Sequence, residues 1–348
     1  MIVIGSRAVG GNHPPFVIGE ISGNHGGSLE RALAIVDAIA ASGADAVKLQ
    51  TYTADTMTLE SDDPSFVVND ESSLWRGARL YDLYDRAHTP WEWHEPIFKR
   101  AEERGLIAFS TPFDATAVEF LQSLSVPCFK IASFENTHLP LISQVAATGK
   151  PMIISTGMAT TQEIAEAVET ARTAGCKDLI LLKCTSTYPA VPESSNLAAI
   201  PMLRDSFGCE VGLSDHTLGI GVAVASVALG ATVIEKHITM SREDGAVDSA
   251  FSSEPDELKL LVEESQRAWK AKGVAHLGPS EDEIASLKFR RSLYFAMDLA
   301  RGTVVGPNDV KIIRPAYGLA PKHYSEVIGR KVTRDVLRAE PVTWEVLD

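Results

Sequence analysis

Eight short apolar runs rich in β-branched residues punctuate the first three-quarters of the chain, at 16–21, 46–50, 107–111, 128–133, 152–156, 179–185, 209–215 and 232–237. Segments with apolar residues at helical spacing separate them, for example 29–41, which stops at Gly43, and 160–174, which opens on a Thr-Thr-Gln-Glu cap and stops at Gly175. Strand-then-helix alternation favours parallel pairing. Eight such units predict an α/β fold with a closed (β/α)8 TIM barrel, whose catalytic groups collect at the C-terminal ends of the strands. Buried parallel strands are ordinarily almost all aliphatic. These runs instead close on Glu20, Lys48 and Gln50, Ser110 and Thr111, Lys130 and Ser133, Ser155 and Thr156, Lys183 and Thr185, Asp215 and His216, and Glu235 and His237. A shared ligand is the simplest reason for so many ionisable endings.

The 348 residues exceed the roughly 250 of a plain barrel. The expected division is a barrel over 1–272, a polar linker over 273–285 and a β-rich module over 286–348, where Gly302, Gly306, Pro307, Pro315, Gly318, Pro321 and Gly329 break short strands. A module of about 60 residues buries little apolar surface and is expected to dock on a barrel. The stretch 52–104 is long for a βα connection; it holds Trp75, Tyr81, Tyr84, Trp91 and Trp93 and belongs to the catalytic side.

A formal charge of −14 argues against nucleic acid and anionic membranes as partners. The longest apolar stretch, 220–229, is far below the roughly 20 residues of a membrane span, and the start does not read as a signal peptide. Cys128, Cys176, Cys184 and Cys209 form no CxxC pair and read as reduced buried thiols, so the cytoplasm is expected.

His216 and His237 close the seventh and eighth runs, and closure makes the first run, ending in Glu20, the neighbour of the eighth. Two imidazoles beside a carboxylate suit a divalent metal. Lys48, Lys130 and Lys183 at the exits of runs two, four and six describe an anion pocket, with Ser133, Ser155 and Ser214 as neighbouring donors; local acids such as Glu135 or Asp114 are the alternative partners. Glu135 and Asp248 are candidate general acid or base groups.

These motifs together resemble the sialic acid synthase family over essentially the whole chain. The resemblance is carried by Glu20-Ile-Ser-Gly-Asn24-His25-Gly-Gly27, Lys48-Leu-Gln50, Phe109-Ser-Thr-Pro-Phe113, Lys130-Ile-Ala-Ser133-Phe-Glu135, Ser155-Thr-Gly-Met158, Gly212-Leu-Ser-Asp-His216 and Glu235-Lys-His237. It implies a metal-dependent barrel that condenses phosphoenolpyruvate with an open-chain acylamino sugar. It also implies a C-terminal antifreeze-like (SAF, β-clip) module that caps the partner's site in a domain-swapped homodimer, with Arg314 reaching the sugar's acetamido group. On the same footing, phosphoenolpyruvate is expected on Lys48, Lys130, Ser133, Ser155 and Ser214, and the metal (manganese, or else cobalt or magnesium) on His216 and His237. Gln50, Thr111, Ser186 and Tyr188 are the further substrate-binding positions, and Glu20, Glu135 and Asp248 the catalytic carboxylates. The loop segments around Ser186 and Tyr188, 80–94, 248–252 and 318–324 resemble most the branch acting on 2,4-diacetamido-2,4,6-trideoxyhexoses; the branches making N-acetylneuraminic or legionaminic acid are the alternatives.

Overall fold

The computed structural model describes residues 1–71 and 73–348, which divide into two compact units, Met1–Gly273 and Val274–Asp348. The first opens with an antiparallel hairpin of β1 (Ile2–Ile4) and β2 (Arg7–Val9). Eight parallel strands follow: β3 (Phe16–Glu20), β4 (Ala46–Thr51), β5 (Ile107–Pro112), β6 (Phe129–Ile131), β7 (Met152–Ser155), β8 (Leu179–Cys184), β9 (Glu210–Asp215) and β10 (Val233–His237). They close in sequence order, β10 pairing with β3, so the expected TIM barrel is the fold.

The elements form where local chemistry favours them. Helix Leu29–Ser42 is capped by the Ser28 hydroxyl, which accepts from Arg31 N at 3.3 Å, and ends at Gly43 with φ 80°. Helix Thr161–Thr173 starts in a capping box of Thr160 and Glu163. Phe16, Phe109 and Phe129 are fully buried among the strands. The β1–β2 hairpin shields the strand starts, opposite the mouth: Ile2, Ile4 and Val9 join the Phe16 and Phe109 cluster, and Arg7 Nε donates to Asp45 Oδ1 at 2.8 Å. Strands of three residues are too short to stand out in the sequence, and this hairpin was not foreseen.

The long connection proves composite. Helix His94–Glu103 is the ordinary β4-to-β5 crossover, tied to the first barrel helix by Arg100 and Arg104 on Asp37, each at 2.8 Å. Trp91 stacks on Phe120 at 4.6 Å and Trp93 meets His25 edge-on at 5.5 Å, so these two aromatics serve the outer layer. The added segment is therefore 52–93, with helices Ala54–Met57 and Leu80–Ala87.

The second unit is built on β11 (Ser292–Phe295) paired antiparallel with β12 (Val310–Ile313). Its own core gathers Leu293, Phe295, Val310, Val327, Val336 and Val342. Arg314 follows β12 and is exposed. No helix among the described residues is long and apolar enough to cross a membrane.

Candidate active site

Side chains alternate across a strand, so residues paired in register share a face. Glu20 is in register with both Lys48 and His237, and Ser214 with Glu235, which puts these groups inside the barrel mouth. Lys48 Nζ lies 2.5 Å from Glu20 Oε2 and donates to Thr111 Oγ1 at 3.1 Å. Lys130 Nζ donates to Ser155 Oγ at 2.7 Å. Between them stands Glu235, its Oε1 3.7 Å from each ammonium and accepting from Ser214 Oγ at 3.3 Å. Gln50 Nε2 donates to the other oxygen of Glu20 at 3.1 Å.

Two buried lysines and two buried carboxylates thus neutralise one another. Burial works against the charge of Glu235, but Lys130 and Lys48 outweigh it and hold the carboxyl below its usual range. Burial pushes Glu20 up, with Lys48 opposing. Burial likewise draws Lys130 down, whereas at Lys48 the two carboxylates overcome it and the ammonium rises. The lysine partners are therefore strand-end acids across the mouth. Glu135 is not among them, and Asp114 caps the helix Ala115–Ser123 instead.

Lys183 departs from the expectation of three lysines in register. Cys184 pairs with the inward Ser214, so Lys183, one residue earlier, faces the other way and donates to Cys184 O at 2.8 Å and Thr185 Oγ1 at 3.2 Å. The inward group on β8 is the Cys184 thiol, 3.9 Å from His216 Nδ1.

Ser133 and Ser186 meet the chain after β7 at Gly157. Gly157 N donates to Ser133 Oγ at 3.2 Å, and a Cβ there would lie 2.2 Å from Ser186 Oγ, so only glycine allows this approach. The imidazoles of His216 and His237 have centroids 5.3 Å apart, with Tyr188 4.5 Å from His216 and Phe251 5.1 Å from His237. His216 Nδ1 is held by Thr185 O at 3.0 Å, the orientation a metal-ligating histidine takes when its other nitrogen is the donor. His237 Nδ1 is buried without a partner, and burial holds this imidazole well below its usual pKa, in the neutral form that binds metal.

The orientation of His216 and the neutral ring of His237 suit a divalent ion; at His216 burial opposes the charge, but Cys184 outweighs it and raises the imidazole. Glu20, which the sequence sets beside them, is paired here with Lys48 and Gln50. Among the described residues there is no group of three or more His, Cys, Asp or Glu arranged for a metal.

Asp248 Oδ2 accepts from Gly23 N at 3.2 Å, and burial raises its carboxyl. Glu135 is pushed by burial to about 7, against Lys130, and one of its oxygens is buried with no partner. Both carboxyls line a mouth cavity of about 640 Å³, together with Gln50, Ser186, Tyr188 and His237. On the outer face of β9 and β10, Lys236 Nζ binds Asp215 Oδ2 and Thr217 O, each at 2.6 Å, with both ionic side chains buried.

Two groups at the mouth lacked an assigned role in the sequence: Cys184 and Glu235. For Glu235 the period of two was the available signal, since it lies two residues before His237 and so on the same face.

Residues 35–276 match the NeuB family, and residues 290–348 match the SAF domain. The pseudaminic acid synthase of Campylobacter jejuni is 43% identical over 321 residues, covering 92% of this chain and 93% of the relative. That of Helicobacter pylori is 40% identical over 336 residues, covering 95% and 97%. The solved structure of N-acetylneuraminic acid (sialic acid) synthetase from Leptospira borgpetersenii, in complex with citrate, superposes with a TM-score of 0.74 at 32% identity, over 83% of this chain and 95% of that one. With its strand-end lysines and histidines on a closed barrel, and with a SAF domain following in the sequence, the chain belongs to the NeuB family.

Proposed function

We propose that the chain condenses phosphoenolpyruvate with 2,4-diacetamido-2,4,6-trideoxy-L-altrose and water, giving pseudaminic acid and phosphate. The carrying observation is identity of 43% and 40% to pseudaminic acid synthases across more than nine-tenths of the chain, against 32% to the sialic acid synthetase. The mouth supplies suitable chemistry. Lys48 and Lys130 meet the negative charges of phosphoenolpyruvate, with Thr111, Ser133, Ser155 and Ser214 as donors. His216 and His237 would hold a divalent ion, of which manganese is our choice, and the ion would supply Lewis acidity for the condensation. Gln50, Ser186 and Tyr188 border the sugar.

In the reaction, C3 of phosphoenolpyruvate bonds to the aldehyde carbon and the aldehyde oxygen takes up a proton. Water adds at C2 and loses a proton, and phosphate leaves with C–O cleavage. Glu135 is placed to handle one of these protons, with Glu20 and Asp248 as the other carboxylates near the path. With its carboxyl raised to about 7, Glu135 keeps its proton below neutrality and gives it up above. The kcat profile is therefore expected to carry a limb near pH 7. Glu135→Gln should erase that limb and cost about 10²-fold in kcat; an unchanged profile would remove Glu135 from proton transfer.

A homodimer is part of this reading. Phe134, Met158, Val191, Leu218 and Met240, each on a different loop after β6 to β10, expose large apolar side chains around the mouth, as a surface that is covered in an assembly would. With the SAF domain of one subunit over the mouth of the other, Arg314→Ala should raise the sugar KM about tenfold, the scale of one charge-assisted hydrogen bond, and leave the phosphoenolpyruvate KM alone. An unchanged sugar KM would remove Arg314 from the site. The four cysteines are free and buried, which supports a reducing compartment such as the cytoplasm.

Phosphate release, measured with and without chelator, tests the activity. Metal-dependent release with the trideoxy altrose and not with N-acetylmannosamine is expected. Preference for N-acetylmannosamine would move the chain to the sialate branch.

A further inference from the structure

Helix Leu80–Ala87 turns an apolar stripe toward the mouth cavity. Leu80, Leu83 and Ala87, at positions i, i+3 and i+7, all line the mouth cavity, while Asp82, Asp85 and Arg86 on the other face are exposed. Met57 and Val68, from the same added segment, extend this lining. The backbone at Val68 is already satisfied, its N–H donating to Ala78 O at 2.9 Å and its carbonyl accepting from Gly77 N at 2.8 Å, so it offers the cavity only its isopropyl group. Trp75 pins the segment to the loop carrying Asp248 by donating from Nε1 to Val247 O at 3.1 Å. The cavity thus has an ionic floor at the strand ends, and the segment 52–93 brings to it both polar groups (Tyr52, Asp70, Ser73 and Tyr84) and an apolar patch of Met57, Val68, Leu80 and Leu83.

We propose that Met57, Val68, Leu80 and Leu83 form the subsite that selects 6-deoxy-4-acylamino sugars over sugars with hydroxyls at C4 and C6, an inference that rests on the function proposed above. With the aldehyde end at the strand-end floor, as the proposed function requires, the C4–C6 end would meet this patch, which lines the same cavity as His237. A trideoxy sugar presents two methyl groups there, the C6 methyl and that of the 4-acetamido group. N-Acetylmannosamine presents hydroxyls, which lose water against these four side chains without gaining a partner from them. An apolar patch discriminates against an added hydroxyl by about 10²-fold at most. The patch reads apolarity and not configuration, so altro and manno epimers of the trideoxy sugar are treated alike by it.

The test is the ratio of kcat/KM for the trideoxy altrose to that for N-acetylmannosamine, in wild type, Met57→Gln and Val68→Thr. Both substitutions add polarity at half-buried positions with little change of shape. The ratio should fall about tenfold or more in each, within the range a single apolar contact can set, with the phosphoenolpyruvate KM and the melting temperature unchanged. If the wild type prefers the trideoxy sugar and neither these variants nor Leu80→Asn moves the ratio, the subsite is overturned and the proposed activity stands. If the wild type prefers N-acetylmannosamine, both fall.

Discussion

Replacing His237 by alanine is expected to abolish tight binding of Mn²⁺ and to lower kcat by about 10³-fold or more, the scale of losing a stabiliser of developing charge. The substitution is a clean probe because the buried Nδ1 of His237 has no partner in the fold, so no protein group is stranded when the ring goes. The thermal midpoint should move little. His216 is a less clean target, since its removal frees the carbonyl of Thr185, which its Nδ1 now engages at 3.0 Å. Binding is read from the electron paramagnetic resonance signal of free Mn²⁺, independently of turnover. Wild-type Mn²⁺ affinity in His237→Ala would place the ion elsewhere and sink the two-imidazole site.

Lys48→Met is expected to damage both folding and catalysis. It keeps the length of the side chain but leaves the buried Glu20 and Glu235 facing each other with one ammonium fewer, and losing one partner of a buried ion pair destabilises by about 3–5 kcal/mol. Lys130→Met leaves Glu235 near Lys48, so it should destabilise less while still raising the KM for phosphoenolpyruvate. The double variant Lys48→Met, Glu20→Gln, read against Glu20→Gln alone, separates the two effects. Removing the orphaned charge should restore much of the urea midpoint, whereas turnover should stay below that of Glu20→Gln alone because the cation proposed to meet phosphoenolpyruvate is still missing. Turnover equal to that of Glu20→Gln alone would show that Lys48 serves the fold alone.

The barrel was legible because each strand is a run of β-branched residues set between capped helices, so hydrophobic period and stop signals agree. The strand ends were legible for the same reason, since a lysine or histidine in an otherwise aliphatic run stands out. Which of two adjacent polar endings faces inward was harder. Lys183 and Cys184 differ by one position, and that choice depends on how β8 aligns with β9, a property of two strands and not of either run. The partners of the lysines were hidden likewise, because Glu20 and Glu235 reach Lys48 from different strands, far apart in the chain. The segment 52–93 mixes aromatics that pack outside the barrel with others that line its mouth, and composition alone does not sort Trp91 from Trp75.

The buried contact between Lys236 and Asp215 bears on how the barrel finds its register. These two residues alternate with Glu235, His237 and Ser214, so sliding β10 by one position would turn Lys236 into the mouth and His237 against the helices. The misaligned state would strand a carboxylate in an apolar layer and lose its imidazole at the same stroke. Charge neutralisation outside the barrel therefore proofreads the alignment of the strand-end lysines, carboxylates and imidazoles within it.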